Sequence, residues 1–465
     1  MAERLITQPR DFPSVEELLG APEIAEAVCR IPRPVAVEVV RKTIADCKTR
    51  LLKTGKSLGW SAFLKLLQIA LHRQKRREIT RVINATGIVV HTNLGRAPIA
   101  RSVLEYITAS VSGYSNLEFD LETGERGSRG YACEEYLALL SEAESGTVVN
   151  NCAAALFLIL NTFANRKTVV ISRGELVQIG GGFRIPDILK RAGARLREVG
   201  TTNITTVGDY ENAIDSSVGL ILKVHKSNFI QAGFTQEVPL RELVAIGRKS
   251  QIPVVNDLGS GVFLDTQPTL GYREPTVQQS VRDGADLTCF SGDKLLGGMQ
   301  AGLIVGRTEL VGKLKRNPIY RALRVGKVVF TALERLLAIY LSDSAADEIP
   351  IWKTLMVPES ELYQRGKKLL SDLGNPSGVS VEATKALVGG GAMPESEIPS
   401  VALIFSPAFK AERLSRQFRD HTPPIIGRVE GDRFMLDLKA VVIDELPILL
   451  QAAGAILTAN QTSSS

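Results

Sequence analysis

Between residues 83 and 334, short apolar runs alternate with helix-patterned stretches, and this alternation constrains the fold more than any other feature. The runs "GTVVNN", "TVVISRG", "GLILKVH", "IPVVNDLG", "DLTCFSG" and "AGLIVG" read as strands buried on both faces. Between them, "AAALFLILNTFA", "PDILKRAG" and "LRELVAIGRKS" space their apolar residues as helices do. The pattern predicts an α/β fold whose central sheet is mostly parallel and covered by helices. Ligands on such sheets bind beyond the carboxyl ends of the strands, so the residues that close each run are the ones to read for chemistry.

At 465 residues the chain exceeds a single ordinary core, and its flanks differ in character from the alternating segment. Residues 1–70 read as a small helical domain, 71–82 as a linker, and 83–334 as the large domain. Residues 335–465 read as a small α+β domain, with strand patterns in "EIPSVALIFSP" and "PPIIGRVEGDRFMLDLKAVV". Net charge is +6 but uneven. From Arg41 to Arg81 the basic residues meet only Asp46 and Glu78. Such a block suits a phosphodiester backbone, and it equally describes a solvated helix face. No apolar run approaches the roughly 20 residues that span a bilayer, and no signal core opens the chain, so a cytoplasmic protein without a membrane partner is expected. Cys29, Cys47, Cys133, Cys152 and Cys289 form no C-x-x-C pair and the four histidines are scattered, so neither a disulfide framework nor a metal site is read.

The chemistry-bearing residues follow the strands. "VNNCAAA" sets Asn150, Asn151 and Cys152 at a strand-to-helix turn with small residues behind them, which is both an ordinary N-cap and a phosphate cradle. "KVHKSNF" brings His225, Ser227 and Asn228, and "VVNDLGSG" brings Asp257. "TCFSGDKLLGGMQAGLIVG" then places Ser291, Asp293 and Lys294 on a glycine-bounded turn. Taken in this order at one sheet edge, the groups suit pyridoxal phosphate. A helix N-terminus meets its phosphate, a carboxylate keeps its ring nitrogen protonated, and a lysine condenses with its aldehyde. Burial helps that lysine lose its proton. Gly292, Gly297 and Gly298 are expected to let the backbone approach the cofactor without side-chain obstruction.

Longer motifs carry a resemblance. "VINATGIVVHTNLGRAP", "ISRGELVQIGGGFRIPDI", "EVGTTN", "KVHKSNF", "DLGSG" and "SGDKLLGGMQAGLIVG" closely resemble the bacterial selenocysteine synthase family, the L-seryl-tRNA(Sec) selenium transferases, from the helical N-terminal module through "PPIIGR". The resemblance implies a fold-type-I pyridoxal-phosphate transferase. Such an enzyme converts L-seryl-tRNA(Sec) to L-selenocysteinyl-tRNA(Sec) with selenophosphate, by β-elimination to an aminoacrylyl-tRNA and selenium addition. It further implies that Lys294 is the Schiff-base lysine, that Asp257 is the partner of the ring nitrogen, and that Asp293 is an acid/base or orienting group. Asn151, Cys152, Asn228 and Ser291 would complete the cofactor contacts. Arg96, Arg321 and Arg324 would hold selenophosphate, guanidinium forks being suited to tetrahedral oxyanions. Read without the resemblance, Arg321 and Arg324 are equally two neighbours on an exposed helix face. Arg126 and Arg129 are a loop cluster or phosphate contacts across a dimer, and Arg428 sits where related folds bind a carboxylate. The same resemblance implies a homo-oligomer, a ring of five dimers, and a basic N-terminal domain that reads the selenocysteine tRNA by shape and backbone.

Two other readings stand beside it. One is a related pyridoxal-phosphate lyase acting on a free small amino acid or amino-sugar acid phosphate, which has no use for a basic RNA-binding module. The other is an RNA-binding protein on an inactive scaffold, which has no use for Asn228, Asp257 and Lys294.

Overall fold

The structure is a computed structural model, and it describes residues 4–29, 31–179, 182–226, 229–390 and 397–461. The chain divides into two compact units, Met1–Val82 and Ile83–Ser465.

The first unit is built on two long helices, Arg33–Thr54 and Trp60–Lys75, with shorter helices at Val15–Leu19 and Ala25–Val28. Gly55 ends the first long helix in the left-handed region at φ +65°, where a side chain would be strained. Phe12 meets Phe63 edge-on at 5.3 Å, and Val40, Ile44, Leu67 and Leu71 complete a core separate from the rest. Leu71 is buried and the helix runs on to Lys75, so the expected boundary at residue 70 falls inside a helix. Arg41, Lys42, Arg50, Lys53, Lys56, Lys65, Arg73, Lys75 and Arg77 are all exposed.

The second unit holds a seven-stranded sheet in the spatial order Ser145–Val149, Gly302–Gly306, Leu287–Ser291, Val254–Gly259, Val218–Val224, Thr168–Ser172, Arg195–Val199. Only Gly302–Gly306 runs antiparallel to its neighbours. The central strands are buried along their length, as their unbroken apolar runs require. Arg195–Val199 was not among the expected strands. It is an edge strand whose Arg195, Leu196, Arg197 and Glu198 lie partly or fully in solvent, so its sequence lacks the apolar run.

A second, five-stranded sheet has the order Val379–Leu387, Glu397–Phe405, Arg433–Asp437, Ile425–Glu430, Ile83–Ala85. Two corrections to the sequence-based division follow. Ile83–Ala85 pairs in parallel with Ile425–Gly427, so the start of the expected large domain lies in the C-terminal sheet. The helix Lys327–Leu341 crosses the expected boundary at 334/335, and Phe330, Leu333, Leu336 and Leu337 pack into the core of the large sheet. Among the described residues, no helix is long and apolar enough to cross a membrane.

Candidate active site

The turn between Leu287–Ser291 and Gly302–Gly306 carries Lys294. Backbone bonds close it: the Gly292 N–H donates to Ala301 O at 2.9 Å, and the Gly298 N–H to Gly292 O at 2.8 Å. The Leu295 N–H ties it to Ser260 O at 3.1 Å. Beneath the turn, the buried Tyr340 hydroxyl donates to Leu296 O at 3.0 Å and accepts the Trp352 indole N–H at 2.7 Å. The glycines serve this packing and not cofactor approach. A Cβ on Gly292 would lie 2.6 Å from Met299 O, on Gly297 2.4 Å from Ile349 Cγ2, and on Gly298 2.5 Å from Leu336 Cδ2. All three face protein.

Lys294 is 7% exposed, and no described residue hydrogen-bonds or ion-pairs with its amine. Burial lowers its pKa, against the pull of Cys152 and Asp257. Asp257, on the strand Val254–Gly259, is equally buried; burial raises its pKa and the Lys294 charge opposes the rise. Each group is thus buried, and the charge of each acts on the other's titration. The Cys152 thiol donates to Asp257 Oδ1 at 3.5 Å, and the His225 N–H to Asp257 O at 2.9 Å.

Asn151 caps the helix Cys152–Phe163 by accepting the Ala154 N–H at 2.8 Å. The Cys152 and Ala153 amides stay outside the helical ladder, at the positive end of its dipole. Gly302 makes room for this turn: a Cβ there would stand 2.1 Å from Asn151 O and 2.9 Å from Cys152 N. Asn150 donates its N–H to Leu323 O at 2.9 Å.

Arg96 reaches Lys294's neighbour. Its Nη1 lies 2.6 Å from Asp293 Oδ2, and Ser291 Oγ donates to Asp293 Oδ1 at 2.7 Å. Both Asp293 oxygens are thus engaged, and the Ser291 hydroxyl with them. Arg96 itself sits at φ +63°, a strained conformation for a side-chain-bearing residue, held by its N–H bond to His91 O. His91 was not singled out from the sequence, yet its Nδ1 is buried with no hydrogen-bond partner, and burial lowers its pKa.

Arg321 and Arg324 do not share a helix face. Arg321 is exposed on the short helix Pro318–Leu323, whereas Arg324 has left it with extended backbone and bridges Val149. Glu118, also missed, gathers arginines around itself: Arg129, Arg126 at 2.8 Å, and Arg324 at 3.8 Å. The sequence-separated Arg126, Arg129 and Arg324 therefore form one cluster beside the Ser145–Val149 strand end. Among the described residues no hydrogen bond or ion pair joins that cluster to Arg96. Arg428 is committed elsewhere, its Nη1 at 3.0 Å from Asp437 and Nη2 donating to Thr384 Oγ1 at 2.6 Å. Glu175 is buried, holding the Val224 N–H at 2.9 Å and the Lys223 amine at 3.2 Å. His225 Nε2 and Glu274 Oε1 face each other at 3.1 Å without hydrogen-bond alignment. Asn228 and Ser227 lie outside the described residues.

Comparison with known proteins gives a consistent result. The family described as L-seryl-tRNA selenium transferase matches residues 82–442, and the selenocysteine synthase N-terminal family matches residues 10–47. The L-seryl-tRNA(Sec) selenium transferase of Aquifex aeolicus (strain VF5) is 43% identical over 434 residues, 92% of this chain and 95% of that protein. That of Nitratidesulfovibrio vulgaris is 43% identical over 443 residues, 92% of this chain and 94% of its own. Among solved structures, a D-glucosaminate-6-phosphate ammonia-lyase shares the fold with a TM-score of 0.62 at 18% identity, over 84% of this chain and 99% of that one. By this match over nearly its whole length, the chain belongs to the L-seryl-tRNA selenium transferase family.

Proposed function

We propose that this enzyme converts L-seryl-tRNA(Sec) to L-selenocysteinyl-tRNA(Sec) with selenophosphate, using pyridoxal phosphate held between Lys294 and Asp257. The observation that carries the proposal is the pair itself: an amine and a carboxylate, both 7% exposed and each acting on the other's charge. The surroundings fit the cofactor. Lys294 has no partner among the described residues, and the buried Ser260 hydroxyl and His91 Nδ1 have none either. The Cys152 and Ala153 amides suit its phosphate.

Bound there, the cofactor supplies an electron-withdrawing ring that acidifies the seryl Cα–H. Asp257 keeps the proton on the ring nitrogen, with the Cys152 thiol fixing the carboxylate's orientation. Lys294, its pKa lowered by burial, gives up its proton more readily than a solvated lysine, so its amine can take the seryl Cα proton and return a proton to the departing β-hydroxyl. Arg96 binds the selenophosphate oxyanion, and Arg321 and Arg324 extend the anion-binding surface. Asp293 is a positioning residue for Arg96, because neither of its oxygens is left to move a proton.

The exposed basic residues between Arg41 and Arg77 bind the tRNA, through the backbone contacts and shape that distinguish one folded RNA from another. The protein works in the cytoplasm as a dimer-based homo-oligomer, a ring of five dimers. Tyr114, Phe119, Leu121 and Tyr131 support this: the segment that carries Glu118, Arg126 and Arg129 exposes all four of these large apolar side chains, as a subunit contact does. The direct test supplies seryl-tRNA(Sec) and selenophosphate to the purified protein and to Lys294→Ala. Selenocysteinyl-tRNA from the first and none from the second supports the reading; conversion by Lys294→Ala refutes it.

A further inference from the structure

Two thiols far apart in sequence meet at the carboxylate of the pocket. Cys289 pairs in register with Asp257 on the neighbouring parallel strand, so their side chains share one face of the sheet. Cys152 reaches the same point from the first turn of its helix. The two Sγ atoms and an Asp257 oxygen all lie within 4.8 Å of one another, with Cys152 Sγ at 3.5 Å from Asp257 Oδ1. Zinc–sulfur and zinc–oxygen bonds of about 2.3 and 2.1 Å at tetrahedral angles place such ligands about 3.5–3.8 Å apart. With every separation at most 4.8 Å, a zinc ion would have to draw the ligands in by no more than about 1 Å. Three rigid elements deliver the ligands, two strands and a helix start, which is the arrangement a metal site needs.

We propose that Cys152, Cys289 and Asp257 form a binding site for a thiophilic divalent cation of the zinc class, and that filling it withdraws Asp257 from the cofactor. The second half rests on the assignment of Asp257 to the ring nitrogen made above; the first half does not. Contact with Cys152 and burial push the Cys289 thiol well above its ordinary pKa. The Cys152 thiol is pulled down by that same contact but carried up by burial. Both are therefore neutral thiols before metal arrives, and each zinc ion that binds the two sulfurs and the carboxylate displaces two protons. The resulting site carries one net negative charge. Lys294, where protonated, offsets that charge at Asp257. A zinc-loaded pocket has neither a free carboxylate for the ring nitrogen nor the space the ring occupies.

The test uses the full-length protein stripped of cofactor, with zinc chloride as the probe and a chromophoric chelator as competitor. About one zinc per chain should bind, with release of about two protons. Cys289→Ser should weaken binding at least about tenfold, the lower end of what loss of even an outer-shell partner costs a site. Its basal selenium transfer should survive. Because a buried hydroxyl could unsettle the strand, a second measurement uses the unaltered chain: zinc should protect Cys152 from alkylation while the exposed Cys29 is labelled equally with and without metal. Absence of stoichiometric binding, or unchanged affinity in a folded Cys289→Ser together with unprotected Cys152, overturns the site. Pyridoxal phosphate and zinc should compete for the protein. Simultaneous binding, with Cys152 protected, would keep the metal site and overturn the shared role of Asp257.

Discussion

Replacing Asp293 by Asn distinguishes a positioning group from a proton carrier. In the structure Asp293 Oδ2 takes a charge-assisted hydrogen bond from Arg96 at 2.6 Å, and Oδ1 accepts from Ser291 at 2.7 Å. Asn keeps an oxygen for Ser291 but turns an amide N–H toward the guanidinium, so the Arg96 contact is lost. Hydrogen bonds to charged groups contribute about 1.5–3 kcal/mol. The Arg96 side chain is 33% exposed while that of Asp293 is 8% exposed, so solvent screens part of that value and about 1.5–2 kcal/mol is the appropriate range. At 1.4 kcal/mol per decade, this corresponds to about a 10- to 30-fold loss in the hold on the anion. Steady-state kinetics with selenophosphate varied should show KM raised by that factor and kcat within about threefold of the parent. Arg96→Ala combined with Asp293→Asn should be no worse than Arg96→Ala alone, since both act through one contact. A general acid or base contributes about 10²–10⁴ in rate. If kcat falls by such a factor with KM unchanged, Asp293 carries a proton and the positioning argument fails.

Gly302→Ala should damage cofactor loading at a distance, because the new methyl group meets Asn151 and Cys152 backbone that cannot swing aside. Overpacking of this kind costs about 1–3 kcal/mol, read as a lowered Tm together with weaker pyridoxal phosphate binding; a variant unchanged in both contradicts the description of the turn. Deleting residues 1–82 should abolish tRNA binding in a filter assay yet leave cofactor loading intact, since the two units have separate cores. Retained tRNA affinity would refute that division. Lys439 is buried beneath the C-terminal sheet with its pKa lowered to about 8, by burial and against Asp437. The unfolded chain therefore holds the extra proton between about 8 and the ordinary 10.5, so this lysine makes stability rise with pH across that window. Denaturant melts should show wild type gaining on Lys439→Met over the same interval, and a flat difference counts against the assignment.

The central sheet was legible because its inner strands are buried on both faces, which leaves an apolar run with no alternative reading. Arg195–Val199 and Val379–Leu387 escaped because each is an edge strand, and solvent on one side dilutes the pattern with Arg, Glu, Lys and Thr. The strand-end positions of Lys294 and Asp257 were legible from the apolar runs that precede them. The company they keep was not. Cys289 lies beside Asp257 only through strand register, and Glu118 joins Arg129 to Arg324 only through the tertiary fold. The turn glycines misled for a related reason: sequence shows that side chains are absent, but only the fold shows that Ile349, Leu336 and Met299 fill the space. Arg321 and Arg324 looked like helix neighbours because nothing local marks Leu323 as the last residue of that helix.

Borohydride reduction of the cofactor-loaded protein, followed by peptide mass mapping, tests the pocket most directly, because it freezes the bond between cofactor and amine where it forms. A pyridoxyl adduct confined to Lys294, and much reduced when Asp257→Ala is loaded under the same conditions, is the predicted result. An adduct on another lysine, or one on Lys294 that is indifferent to Asp257, would mean that these two side chains do not clasp one ring.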